Sequence, residues 1–340
     1  MKKILVTGGA GYIGSHTVVE LQQEGYEVVV VDNLSNSTAG VMDQIASITG
    51  RKPDLEVFDL SDRTQTLDFF RRHQDVAGVI HFAAFKAVGE SVAFPLRYYR
   101  NNMFSLINIL EGIQEQGITS LVFSSSCTVY GQPDELPVAE NAPVKKAESP
   151  YGNTKQIAEE IIGDQAGAVQ GFKSVLLRYF NPIGAHDSGL IGELPLGVPD
   201  NLVPFITQTA IGKRKQLKVF GDNYNTPDGT AVRDYIHVVD LAKAHVVALD
   251  RLLKGYNQDD TEVFNLGTGK GTSVLEAVKM FEKVSGVSLN YEITGRRPGD
   301  VEQVWADTSY ANRELGWKAE RNLEDMMRTA WIWEKKLANK

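Results

Sequence analysis

Two side chains four residues apart, Tyr151 and Lys155, form a pair suited to moving a proton near neutral pH. Ser149 and Pro150 just before them fit the N-cap and first position of a helix, which puts both side chains on one face, a turn apart. A free phenol titrates near 10, so it serves as a base near neutrality only where positive charge stabilises its anion. The lysine ammonium supplies one such charge. Upstream, Ser124-Ser125-Ser126 follows the apolar run Leu121-Val122-Phe123. The carboxyl end of a parallel strand faces the ligand crevice, so Ser126 is placed to donate to a reacting oxygen, with Ser124 beside it. Among 12 tyrosines a Tyr-x-x-x-Lys pair arises by chance about 0.6 times. The pair gains its weight from following the serine strand and a glycine motif, in that order.

The glycine motif is Thr7-Gly8-Gly9-Ala10-Gly11-Tyr12-Ile13-Gly14, between the strand-like Ile4 to Thr7 and a helical pattern from Tyr12 to Glu24. Gly8 permits a tight turn, Gly11 lets a pyrophosphate approach the backbone, and Gly14 lets helix and strand pack closely. Free N–H groups and the dipole at the helix start hold the phosphates. Among 31 glycines the spacing alone is weak; its context strengthens it. Asp32 ends the second strand, where a carboxylate hydrogen-bonds both adenosine ribose hydroxyls and repels a 2′-phosphate. Asn33 follows it and not arginine, so the pattern predicts NAD over NADP. Asp59, after the third strand, is placed to reach the adenine amine. An oxidised nicotinamide then adds a second positive charge beside Tyr151, with Lys155 on its ribose. The chemistry expected is removal of a hydroxyl proton while hydride leaves the same carbon.

These residues need a scaffold, and the pattern around them specifies one. Short β-branched runs at Glu27 to Val31, Leu55 to Phe58, Ala77 to Phe82, Ser120 to Ser124 and Ser174 to Tyr179 alternate with helix-like stretches. That alternation predicts an α/β fold with a doubly wound parallel sheet of the Rossmann kind. After about Asn181 glycine and proline thicken and the alternation becomes irregular. Residues 1–180 are therefore expected to form the NAD-binding domain. Residues 181–340 are expected to be mainly a smaller substrate-binding lobe, discontinuous, with some segments returning to the sheet. Ser273 with Glu276, and Asn322 with Asp325, mark capped helix starts. Pro95 to Gln116 carries a wide apolar stripe, Leu96, Tyr99, Met103, Leu106, Ile107, Leu110 and Ile113, read either as packing on the sheet or as a two-fold dimer interface.

The chain has 340 residues and a net charge of -8. This excludes a basic footprint for nucleic acid or an anionic membrane but not a small anionic ligand. One cysteine, Cys127, allows no intramolecular disulfide, and no apolar run reaches membrane-spanning length, so a cytoplasmic location is expected. The six histidines show no metal-ligand spacing, and no metal is expected.

Beyond the motifs, whole segments resemble one family. Val6 to His16, His81 to Ser91, Phe123 to Gly131, Ser149 to Gly152, Leu177 to Pro182 and Val232 to Val238 are similar to the UDP-glucose 4-epimerase family of extended short-chain dehydrogenases. The resemblance runs from residue 3 to about 335. It implies that Tyr12, Ile13, Asp32, Asn33, Leu34, Ser35, Asn36, Ser37, Asp59, Leu60, Phe82, Ala83, Ala84, Lys86, Asn101 and Phe180 line the NAD site. Asn181, Asn201, Leu202, Lys218, Val219, Phe220, Arg233, Arg297 and Asp300 would hold the UDP-hexose, with Lys86, Ser126 and Tyr151 beside the sugar. The two arginines suit a diphosphate, whose oxygens a guanidinium binds in pairs. Val304 stands where family members carry a tyrosine or a smaller residue, which leaves room for an N-acetyl group. A homodimer and isomerase activity through a 4-keto sugar are the remaining implications.

Rival readings are a nucleotide-sugar 4,6-dehydratase, a pentose or uronate 4-epimerase, and a non-catalytic NAD-binding regulator. Dehydration needs acidic side chains beside the active hydroxyl, and Ser126 is followed by Cys127-Thr128-Val129. A regulator has no use for an intact serine, tyrosine and lysine set. Only pocket shape separates the pentose or uronate enzyme.

Overall fold

The structure, a computed structural model, describes residues 1–296 and 301–339. Seven strands build one parallel sheet: β1 (Lys3–Thr7), β2 (Glu27–Asp32), β3 (Asp54–Val57), β4 (Val76–His81), β5 (Ser120–Ser124), β6 (Lys173–Tyr179) and, much later in sequence, β11 (Thr261–Leu266). The order β3-β2-β1-β4-β5-β6-β11 reverses direction at β1, so a crevice opens at the carboxyl ends of β1 and β4. Successive side chains leave a strand on opposite faces, which is why these strands are apolar throughout. Ile4 and Val6 enter one core with Val28, Val30, Ile80 and Leu177, while Leu5 enters the other with Val29, Val79, Leu121 and Leu176.

Helices cover both faces. The first carries α1 (Tyr12–Gln23), α2 (Val41–Thr49) and α8 (Val238–Leu253), through Val18, Leu21, Ile45, Leu241 and Leu249. The second carries α3 (Arg63–Arg72), α5 (Pro95–Gln116) and α6 (Pro150–Ala168), through Phe69, Phe70, Leu106, Ile109 and Ile162. The short α4 (Val88–Ala93) leads into α5.

The stripe on α5 divides. Leu106, Leu110 and Ile113 are buried against the sheet, whereas Leu96 and Ile107, with Phe104, face outward.

A separate apolar cluster gathers α7 (Leu202–Ala210), β8 (Leu217–Phe220), α9 (Val274–Ser285), β13 (Tyr291–Thr294) and α10 (Leu323–Ala338), around Ile206, Val219, Phe281 and Met327. Small sheets join it to the crevice: β7 (Asn181–Ile183) with β10 (Tyr235–His237), and β12 (Thr272–Ser273) with β9 (Val232–Arg233) and β14 (Gln303–Val304). Both helices with sequence capping boxes start as expected, α9 at Ser273 and α10 at Asn322. Among the described residues no helix is long and apolar enough to cross a membrane.

Candidate active site

The glycine turn leaves β1 with no room for side chains. A Cβ on Gly14 would lie 2.3 Å from the Gly8 carbonyl oxygen, and one on Gly8, whose φ is +68°, would lie 2.9 Å from the Ala83 nitrogen. Gly11 is the N-cap of α1, and no side chain caps that helix start. The first-turn N–H groups, the helix dipole and the absent β-carbons together form a cradle of the kind a pyrophosphate fills. A dinucleotide fits these residues.

Around the cradle the chain braces itself. The Asp32 carboxylate, 9% exposed, accepts the Ala10 N–H at 3.1 Å, the Leu34 N–H at 2.9 Å and the Ser37 hydroxyl at 2.9 Å. A carboxylate has about four acceptor positions, so one remains for a ligand. Asn33 accepts the Ser35 N–H at 3.0 Å, and Leu34 adopts a left-handed conformation at φ +56°. Ser35 and Asn36 are exposed. Asp59 is exposed and accepts the Ser61 N–H at 2.8 Å, while Leu60 is buried. Ile13 packs on the sheet, and the Tyr12 hydroxyl donates to the Gly184 carbonyl at 2.6 Å, tying α1 to the segment after β7.

The loop Phe82 to Lys86 follows the carboxyl end of β4. Asn102 of α5 accepts the Phe85 N–H at 2.9 Å, donates to the Phe85 carbonyl at 3.1 Å and also reaches the Thr154 hydroxyl at 3.0 Å. Asn101 donates to Asn102 at 2.9 Å. Sequence reasoning picked out Asn101 and missed Asn102; the available signal was a polar residue one turn from Tyr98 and Leu106 on a buried helix face.

Ser126, Tyr151 and Lys155 sit where β5 and α6 meet. Ser149 caps α6 by accepting the Gly152 N–H at 3.1 Å, with Pro150 in the first turn. Lys155, 5% exposed, donates to the Ser124 carbonyl at 2.6 Å and lies 4.7 Å from the centre of the Phe123 ring. Burial lowers its pKa to about 8. The Ser124 hydroxyl shares a 2.7 Å hydrogen bond with Tyr179. Burial drives the Tyr151 phenol well above its ordinary pKa, the neighbouring Tyr179 adds to the rise, and the Ser126 hydroxyl opposes it. The expected fall needs the lysine and an oxidised nicotinamide together; in the protein alone burial dominates and the phenol stays neutral. Burial also raises the Cys127 thiol to about 12, which leaves it un-ionised.

Phe180 and Val304 meet in one small apolar cluster with Val129, Tyr130, Val138 and Ala306. Val304 pairs with Arg233 across β14 and β9, and Arg233 donates to the Val232 carbonyl at 2.8 Å. Beside it Asp234 is fully buried and accepts the Thr268 N–H and hydroxyl and the Ala306 N–H, a fastening not foreseen from sequence. Asn181 pairs with Tyr235 between β7 and β10. Asn201, just before Leu202 at the start of α7, donates to Glu193 at 2.6 Å, and Lys86 lies 3.6 Å from the same carboxylate. On β8, Lys218 and Phe220 point outward while Val219 is buried in the lobe core, so Val219 has only its main chain to offer. Arg297 and Asp300 lie outside the described residues.

A parallel sheet with this order, a glycine cradle at its switch point and a serine, tyrosine and lysine set at the next strand ends define a nucleotide-binding enzyme of the extended short-chain dehydrogenase type. Residues 5–330 match the family model described as GDP-mannose 4,6 dehydratase. The chain is 52% identical to the UDP-glucose 4-epimerase of Bacillus subtilis (strain 168), over 99% of this chain and 98% of that one. It is 50% identical to that of Mus musculus, over 98% and 97%. Among solved structures, the UDP-glucose 4-epimerase of Stenotrophomonas maltophila, with bound NAD and formylated UDP-arabinopyranose, superposes with a TM-score of 0.95 at 49% identity, covering 100% and 99% of the chains. That of Bifidobacterium longum, in complex with NAD+ and UDP, gives 0.94 at 46% identity, covering 99% of each. The chain belongs to the UDP-glucose 4-epimerase family.

Proposed function

We propose that this protein is an NAD-dependent isomerase that interconverts UDP-galactose and UDP-glucose through a 4-keto intermediate. The observation that carries the reading is that the Ser126 hydroxyl meets the Tyr151 phenol where β5 and α6 come together, with Lys155 donating to the Ser124 carbonyl, in a sheet whose β1 leads into the uncapped start of α1.

NAD, when bound, would supply the acceptor and the donor of the C4 hydride. Tyr151 removes the C4 hydroxyl proton and later gives it back, and Ser126 donates to the same oxygen. Lys155 holds the nicotinamide ribose and lends its charge. Burial raises the phenol's pKa in the protein alone, so positive charge from an oxidised nicotinamide and from Lys155 would favour its ionisation. Asp32 to Ser37, with Asp59 and Leu60, take the adenosine end, and Phe82 to Lys86, Asn101 and Phe180 take the nicotinamide end.

Residues 1–180 serve the dinucleotide and residues 181–340 mainly the nucleotide sugar, with α8 and β11 returning to the sheet. Asn181, Asn201, Leu202, Lys218, Phe220, Arg233 and the Val219 main chain grip the UDP portion. Binding free energy concentrated there leaves the tethered ketose free to turn over. The small side chain of Val304 suits an N-acetyl group, so some turnover of UDP-N-acetylglucosamine is expected, and Val304→Tyr should lower it more than that of UDP-galactose. Two copies pair through the outward face of α5, where Leu96 is 81% and Phe104 49% exposed. A lone cysteine and no disulfide suit a cytoplasmic protein.

The deciding experiment mixes purified protein with UDP-galactose and no added cofactor. Formation of UDP-glucose, lost on Tyr151→Phe, is expected; accumulation of reduced cofactor with a free ketosugar would identify a dehydrogenase instead.

A further inference from the structure

One turn beyond Lys155 on α6, the Glu159 carboxylate gathers partners from two neighbouring strand ends. Ser125, directly after β5, donates its hydroxyl to it. Arg178 of β6 donates Nε at 3.0 Å and Nη2 at 2.5 Å. Behind the guanidinium, Nη1 reaches the Tyr130 hydroxyl at 3.0 Å, and that hydroxyl donates to Asn265 of β11 at 2.7 Å. Ser125 is wholly buried, and the side chains of Arg178 and Glu159 are only 8% and 10% exposed. Taking an ion pair this far out of water costs desolvation that mutual attraction only roughly offsets, so apolar groups of equal volume would serve packing as well. An apolar trio would not, however, present negative charge to Lys155.

We propose that Glu159 is a positioning residue for the reaction. Through Ser125 it holds the strand end bearing Ser124 and Ser126 against the helix bearing Tyr151 and Lys155, and its charge keeps the Lys155 ammonium protonated. The proposal rests on the 4-epimerase reading of the site. Besides Glu159, Lys155 has beside it the His81 imidazole from β4 and the Phe123 ring and Ser124 carbonyl from β5, and the Ser124 hydroxyl in turn pairs with the Tyr179 phenol of β6. Burial holds His81 neutral, and Tyr179 stays a phenol. Among the described residues Glu159 is the anion that opposes the loss of the Lys155 proton.

The test compares wild-type holoenzyme with Glu159→Gln, with Glu159→Asp and with the double variant Glu159→Gln/Arg178→Gln, which leaves no buried charge alone. Two quantities are followed from about pH 6 to about pH 10: kcat for UDP-galactose, and acetylation of Lys155 by trace acetic anhydride, read by peptide mass spectrometry. In Glu159→Gln the alkaline limb of kcat and the Lys155 labelling midpoint should both fall by about one pH unit, with KM little changed, and in the double variant, which also loses a cation, both should fall by less. Glu159→Asp, which keeps the charge, should bring both back toward wild type. Folded Gln variants whose limb and midpoint stay at the wild-type pH would overturn the proposal. Failure of both Gln variants to fold would also overturn it, assigning the carboxylate to the fold alone. A wild-type protein that does not epimerise sinks the functional reading, and the labelling then still decides the role of Glu159.

Discussion

Asn102 holds Phe85 by both of its main-chain polar atoms, accepting the N–H at 2.9 Å and donating to the carbonyl at 3.1 Å. A side chain on α5 thus does for the loop Phe82 to Lys86 what a neighbouring strand would do. Replacement by leucine, close in volume, leaves two backbone groups without partners. Asn102→Leu is expected to lower stability by about 2–4 kcal/mol, at roughly 1–2 kcal/mol per unpaired group. The purified variant should also carry less dinucleotide, which urea melts and the absorbance of the released cofactor would reveal.

Gly14 is the tightest point of the cradle. The Cβ of Gly14→Ala would meet the Gly8 oxygen at 2.3 Å and the Gly9 Cα at 2.8 Å, both backbone atoms of the turn itself. The turn must open, so the variant should purify without cofactor and melt several degrees lower, in line with about 1–3 kcal/mol for overpacking. Gly11→Ala meets the Gly8 oxygen at 3.2 Å and should be milder. Equal effects for the two would contradict this account.

Tyr151→Phe removes one oxygen from a residue 8% exposed. Loss of a general base predicts a fall in kcat of about 10²–10⁴-fold, with KM for UDP-galactose changed little. The thermal midpoint should stay near that of the wild type. A variant retaining a tenth or more of the activity would point to another base.

Four buried imidazoles govern acid sensitivity. Burial pushes His16, His81 and His237 down to about 3 and His245 down to about 4. Unfolded histidine titrates near 6.5, so as pH falls below that value the unfolded chain binds protons that the native protein refuses. Stability is therefore full above about pH 6.5 and declines toward pH 4, by at most roughly 1.4 kcal/mol per imidazole for each pH unit. The raised carboxyls of Glu20, Glu140 and Asp234 offset part of this, since they take up protons more readily in the native state. Urea midpoints at pH 7 and pH 5 would measure the difference, and an unchanged midpoint would refute it.

The outward face of α5 is where the proposed pairing of two copies can be tested. Phe104→Glu places a charge among Leu96, Phe94 and Ile107, all exposed on one copy. Sedimentation should show wild-type protein at twice the chain mass and the variant at the mass of one chain, with secondary structure retained.

The sequence made the sheet legible because parallel strands buried on both faces read as unbroken apolar runs, and β1 to β6 lie within about a residue or two of the predicted segments. Glycine spacing and the Ser149-Pro150 helix start were equally visible, since both are local. Asn102, Asp234, Glu159 and Arg178 were not. Each acts across elements distant in the chain, as Asp234 does with Thr268 and Ala306, and no local period marks such partners. The phenol's environment was legible only in part: helical spacing places Lys155 a turn from Tyr151, and the fold adds a hydrogen bond from its ammonium to the Ser124 carbonyl.

The late arrival of β11 at the sheet edge, beside β6 and with α8 packed over the same face, has a mechanical consequence. The polypeptide crosses between the two bodies more than once, so they are stitched together and not hung from a single linker. A fragment ending near residue 180 would lack its outermost strand and one of its covering helices. It should aggregate when expressed alone, and the whole chain should melt in one step.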